Sequence, residues 1–209
     1  CGVSIDQNDL KSYNSAFACD PISAFGGVVS CNFKIKKNLA LELRKVFLEV
    51  IIAKSFEKDA LKILKSKKNL RLIDSQNFIS SDNLKFSSFN NDYLIQTEDK
   101  KTFSKKDFKI VSKKKPTKSQ FEDLIFAFNI CRFVKSNAIV IAGNKNTLGI
   151  GSGQPSRLDS CKIAIDKMKK FIKKRNNLVA ASDAFFPFVD GIEKLVQSGV
   201  SAVVQPSGS

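Results

Sequence analysis

The chain has 209 residues, of which 43% are hydrophobic, enough to core one large domain or two small ones. No apolar run reaches membrane-span length, and five scattered cysteines argue against a disulfide framework or a zinc site. Histidine is absent, so the commonest metal ligand and general base is missing from these residues, while lysine carries a net charge of +15.

In chain order, residues 27–33 alternate as a strand and 39–48 carry apolar residues at helical spacing. Residues 50–53 form a short buried strand, 57–65 a helix with Ala60, Leu61 and Leu64 on one face, and 70–73 a strand. The pattern then degrades from Asp74 to Lys115, which reads as a hairpin or long connection. The Lys113–Lys115 run before Pro116 makes the best boundary between halves 1–115 and 116–209. A helix is predicted over 117–134, with Leu124, Ile125, Phe128 and Cys131 in register. A strand over 138–142 follows, then a turn at 143–146 and a hairpin partner over 147–150. Ser156 and Asp159 mark a helix start. That helix runs to about residue 174 and is followed by a strand at 178–181, a helix at 187–197 and a strand at 202–205. Strands alternating with helices define the class as α/β; no repeat is visible in residue identity.

Four stretches carry possible chemistry. Gly149, Gly151 and Gly153 lead through Gln154, Pro155 and Ser156 to Arg157. Glycines permit positive φ and close backbone approach, a helix start offers free N–H groups, and a guanidinium matches carboxylate or phosphate. The pattern is neither a P-loop nor a dinucleotide fingerprint, and the plain alternative is a hairpin exit with a surface arginine. Lys135, Ser136 and Asn137 stand where a helix yields to a strand, and Asn137 either holds an amide or carbonyl or simply stops the helix. Asp183 and Asp190 bracket Phe185, Phe186, Pro187 and Phe188, which are either core or walls for a flat heterocycle. Cys19 to Gly27 is a turn leading into a strand. The charge alone also permits a basic nucleic-acid-binding module, or scattered lysines on solvated faces.

Together, Asp20 to Gly27, Lys135 to Val140, Leu148 to Arg157, Ala181 to Phe188 and Gln205 to Ser209 resemble the bifunctional purine biosynthesis family. That family joins AICAR transformylase to IMP cyclohydrolase. The resemblance lies in the transformylase part and implies two cytidine-deaminase-like subdomains, mixed sheets flanked by helices, without a catalytic metal. It implies formyl transfer from 10-formyltetrahydrofolate to the 5-amino group of AICAR, giving FAICAR. It also implies a cytoplasmic homodimer acting on small molecules rather than on nucleic acid or membrane. AICAR contacts would fall on Gly26, Glu49, Asn137, Arg157 and Phe185, with Asn137 holding the carboxamide beside the attacking amine. Folate contacts would fall on Leu158, Pro187, Asp190 and Ser209. The family's catalytic Lys-His pair would lie just upstream of Cys1, so the chain is expected to be a section cut at both ends and inactive alone. Lys54, Pro155 and Val189 depart from the family pattern. A non-catalytic nucleotide-binding relative is the remaining alternative.

Overall fold

The computed structural model of the chain describes residues 1–78, 84–174 and 176–208. Its first half is built on a three-stranded, wholly parallel sheet of β1 (Gly27–Ile35), β2 (Leu48–Phe56) and β3 (Arg71–Asp74), in that order. Three helices join and cover it: α1 (Asp9–Ala18), α2 (Lys37–Leu43) and α3 (Lys58–Lys65). Cys31, Ile35, Leu39, Leu43, Ile51, Ala60 and Leu64 form its buried core, with Leu10 and Tyr13 of α1 packed against it. Parallel sheets are normally covered on both faces. Here Val28 is 63% exposed, and Ser30, Asn32 and Lys34 alternate with the inward residues of β1.

The second half has a four-stranded sheet in the order β7-β6-β8-β9, from β6 (Ile139–Gly143), β7 (Asn146–Gly151), β8 (Val179–Ser182) and β9 (Ala202–Val204). β6 is antiparallel to both neighbours, whereas β8 and β9 run parallel. Every β6 residue is buried, with Ile139 and Ile141 in one cluster and Val140 and Ala142 in the other. Helix α4 (Lys118–Cys131) contributes Leu124, Phe126 and Cys131 to the second cluster. Helices α5 (Arg157–Phe171) and α6 (Asp190–Gln197) contribute Cys161, Met168 and Leu195 to the first. Two-sided burial explains why this strand reads as a continuous apolar run rather than an alternating one.

Between the halves lies an antiparallel hairpin of β4 (Leu84–Phe89) and β5 (Asp92–Thr97), with every residue exposed. The rest of the connection is anchored. Phe103 and Phe108 pack edge-on against Phe128 of α4, and the Asn129 side chain exchanges hydrogen bonds of 2.9 Å with the Phe103 backbone.

Several elements differ from expectation, and three of the differences bear on the packing. Helix α1 has no counterpart in the periodicity reading. Its apolar Leu10, Tyr13 and Phe17 do share a face, but they sit among Ser and Asn, weak helix formers. Asn8 nevertheless caps it, accepting from the Lys11 N–H at 2.9 Å. The predicted 39–48 helix stops at Leu43, because Leu48 is already paired with Gly27 in the parallel ladder. The helix starting at 187 begins instead at Asp190, leaving Pro187 in a loop.

Residues 3–5 leave the first half and pair along β7. The Thr147 N–H donates to the Val3 carbonyl at 2.9 Å, the Ile5 N–H to that of Lys145 at 3.0 Å, and Ser4 bridges Asn146. Asp20, at the end of α1, meets Lys167 of α5 at 2.5 Å. No helix among the described residues is long and apolar enough to cross a membrane.

Candidate functional site

The glycine run is the exit of the β6–β7 hairpin. The turn into it has Asn144 and Lys145 at φ 52° and 55°, the left-handed pair a two-residue type I′ turn demands. Buried Asp123 of α4 holds that turn, accepting from the N–H groups of Asn144 at 2.8 Å and Lys145 at 2.7 Å. Only Gly153 of the three loop glycines has positive φ, at 68°. Gly149 and Gly151 are glycine for packing. A Cβ would lie 2.1 Å from the Ala164 carbonyl oxygen at one and 1.9 Å from that of Ser160 at the other. The run thus lets α5 close on β7 as much as it shapes a loop.

Arg157, the first residue of α5, turns inward with its side chain 12% exposed. Nη1 donates to Asp183 Oδ1 at 2.5 Å and to Ser182 Oγ at 2.8 Å, and Nη2 donates to Asn137 Oδ1 at 2.7 Å. Asn137 Nδ2 donates to the carbonyls of Gln154 and Pro155 at 2.9 and 3.0 Å, so both ends of this amide are committed within the protein. Its own carbonyl accepts from Ser160 Oγ at 2.7 Å, and the Ser136–Asn137 peptide is cis. Asp183 also accepts from the Ala138 N–H at 3.0 Å. Burial opposes ionisation of Asp183, but the Ser136 hydroxyl, Arg157 and the Ala138 N–H outweigh it and hold the carboxyl below its ordinary range.

This geometry alters two expectations. Arg157 is already neutralised by Asp183, so an incoming anion must share or displace that carboxylate. Asp183 is that partner, its carboxylate held by Arg157 and the Ala138 N–H. Nor does Ser156 cap α5 with its side chain, as the Ser-x-x-Asp pattern suggested. The cation left beside the loop is Lys135. Its carbonyl accepts from the Gly153 N–H at 2.7 Å, and its ammonium forms no ion pair among the described residues. Sequence reasoning noted Lys135 without a role; its position opposite Gly153 in the hairpin exit was the available signal. Ser136, Ser160 and Ser182, which complete the network, carry no pattern of their own.

The remaining predicted residues fall into two groups. Leu158 follows Arg157 and is half-buried. Phe185 (39% exposed), Pro187 and Asp190 lie on the loop from β8 into α6. Phe186 on that loop stands 5.9 Å from the Arg157 guanidinium and is fixed by its N–H donating to Gln205 Oε1 at 2.9 Å. Gly208 faces Phe185, where a Cβ would touch the ring at 3.6 Å. Ser209 lies outside the described residues. Gly26 and Glu49 form the other group, at the starting ends of β1 and β2. Gly26 takes φ 72° and donates to the Phe47 carbonyl at 2.9 Å. Glu49 is exposed at the register shift between the Gly27–Leu48 and Val28–Val50 pairs. No hydrogen bond or ion pair among the described residues joins this group to the Asn137–Arg157 network.

The fold and this network define an α/β protein with a polar corner made by a strand start, a helix start and an aromatic loop, a common setting for a small-molecule site. The AICARFT/IMPCHase bienzyme family model matches residues 1–167. Curated relatives named bifunctional purine biosynthesis protein PurH match the whole chain: 44% identical in Aquifex aeolicus and in Fusobacterium nucleatum, and 41% in Caldicellulosiruptor saccharolyticus. The chain belongs to the AICARFT/IMPCHase bienzyme family, and spans 40–41% of the length of these relatives.

Proposed function

We propose that these 209 residues are the central part of an AICAR formyltransferase, within a parent polypeptide that also closes the IMP ring. The observation that carries the reading is family membership across the whole chain, joined to a polar corner on the motifs that bear the resemblance. The division into subdomains 1–115 and 116–209, of cytidine-deaminase-like architecture, belongs to the same proposal.

In the reaction the AICAR amine attacks the formyl carbon of 10-formyltetrahydrofolate. A C–N bond forms, the carbonyl becomes a tetrahedral oxyanion, and the bond to N10 breaks. The amine gives up a proton and N10 gains one. AICAR's amine is conjugated with its ring, so the step needs a proton acceptor and a positive group at the oxyanion. These 209 residues hold no histidine, so an imidazole for that proton would have to come from another part of the parent. The chain's own part is binding and orientation. Arg157 fixes the Asn137 amide, so AICAR's carboxamide N–H would meet the second lone pair of an oxygen of known direction, while the two Asn137 N–H bonds stay on the Gln154 and Pro155 carbonyls. Lys135 supplies a positive charge beside the loop for the ribose phosphate. Phe185 offers a ring face to the heterocycle, and the Gly26 and Glu49 end supplies a backbone turn and a carboxylate. Leu158, Pro187, Asp190 and Ser209 would line the folate side. The parent would act as a cytoplasmic homodimer.

The test is a folate-dependent assay on the parent and on the 209-residue protein. Turnover by the parent, little by the shorter chain, and AICAR-dependent thermal stabilisation of the shorter chain are expected. A parent without AICAR formylation overturns the assignment. Full turnover by the shorter chain overturns the need for residues before Cys1.

A further inference from the structure

The turn that carries Gly26 buries little of its own. Ile22 and Phe25 are 63% and 74% exposed, and Ser23 is exposed as well. Local backbone bonds close it, from the Phe25 N–H to the Ile22 carbonyl at 3.4 Å and from the Gly27 N–H to that of Ala24 at 3.1 Å. At its far end the Gly26 N–H and the Phe25 ring meet Phe47. At its near end stands Asp20, which is buried.

Asp20 serves two partners. Oδ1 accepts from the Ser23 N–H at 3.1 Å, and Oδ2 accepts from Lys167 Nζ at 2.5 Å, 147 positions away. An asparagine would also accept from the Ser23 N–H, without the cost of stripping water from a charge. Among the described residues, the contact that calls for a carboxylate is the Lys167 ammonium.

Lys167 stands ten residues beyond Arg157 on α5, about 15 Å along the axis at 1.5 Å per residue. Between them Cys161, Ala164 and Ile165 are buried, and Gly149 and Gly151 let the helix close on β7. The helix is therefore seated as a rod. One end orients Asn137 through Arg157, and the other holds Asp20.

We propose that Asp20 and Lys167 are positioning residues for AICAR: their ion pair fixes the Gly26 turn to α5 and so sets its place relative to Asn137 and Arg157. The ligand in this inference rests on the formyl-transfer reading above, whereas the tie between turn and helix does not. Both side chains act through other groups, so their loss falls on AICAR binding rather than on the chemical step.

The experiment is steady-state kinetics and hydrogen exchange on the parent protein and its variants. Lys167→Met should raise the KM for AICAR about tenfold, with kcat and the folate KM within about twofold. A mere loss of folded protein would lower kcat and leave both KM values. Lys167→Arg keeps the charge and should bring the AICAR KM back to within about threefold. Asp20→Asn should match Lys167→Met, and the double variant should be no worse than either, since each removes the same contact. The double variant leaves no unpaired carboxylate buried, so it carries the same readouts should Lys167→Met not fold. The amides of residues 23–27 should exchange about tenfold faster in Lys167→Met, with the β6 amides as the reference for intact folding. Equal rises in both KM values, a fall in kcat alone, or unchanged exchange at residues 23–27 overturns the proposal. A wild-type parent that does not formylate AICAR overturns the formyl-transfer reading, and the exchange measurement then decides the tie by itself.

Discussion

Replacing Arg157 by Gln removes the charge from the middle of the polar corner while keeping a planar polar end. Three hydrogen bonds go with it, to Asp183, Ser182 and Asn137. Asp183, 16% exposed, keeps the Ala138 N–H but loses its cation. Breaking a fully buried pair from one side costs roughly 3–5 kcal/mol, and the partial access of water here brings the expectation to about 3 kcal/mol. That is a large share of a typical stability of about 5–15 kcal/mol. Urea unfolding at pH 7 of the wild type, Arg157→Gln, Asp183→Asn and the double variant should give a coupling energy of at least about 1.5 kcal/mol. The pH dependence has a defined sign. The folded carboxyl of Asp183 titrates below its unfolded value, so its contribution is complete above the unfolded pKa and is lost as pH falls through the folded one. The gap between wild type and Arg157→Gln should therefore narrow below about pH 4. Coupling under about 0.5 kcal/mol, or a gap that widens in acid, would refute the view that this pair organises the corner.

Asp20, 4% exposed, is held at about 2: burial opposes ionisation, and Lys167 with the Ser23 N–H and hydroxyl overcomes it. At about 1.4 kcal/mol per unit, discounted for the exposure of Lys167, Asp20→Asn should cost about 1–2 kcal/mol at neutral pH. That cost should fade as pH drops from about 4 toward 2, followed by thermal melting across that range. Gly151→Ala should lose about 1–3 kcal/mol, read from the urea midpoint, because the added Cβ would lie 1.9 Å from the Ser160 oxygen unless α5 shifts. Asp123→Ala should cost about 2–3 kcal/mol and speed hydrogen exchange at Asn144 and Lys145, whose N–H groups lose their acceptor. A disulfide-exchange reagent at pH 8 should find one fast thiol, exposed Cys1. Burial pushes Cys131 and Cys161 up to about 12 and Cys31 to about 11, and raises Cys19, so these four should react only after unfolding.

Much of the second half is legible because its signals are local. Thr117 and Gln120 form a capping box at the start of α4, and the turn at Asn144 and Lys145 joins two apolar runs. Helix α1 escapes because its stability comes from laying Leu10 and Tyr13 on the sheet, a contact that weak local propensity does not announce. The 74–115 connection shows little of its anchoring, since Phe103 and Phe108 find Phe128 only across the fold.

Glycine spacing, apolar period and motif order are properties of a string, and they suffice for the α/β class, the family and the residues of interest. What those residues do to one another was decided only in three dimensions. Arg157 pairs with Asp183 across 26 positions and with Asn137 across 20, and no periodicity encodes a partner at such separation. Gly149 and Gly151 read as ligand-facing glycines until α5 is laid over them. The order of strands in each sheet is likewise fixed by backbone pairing and not by residue identity.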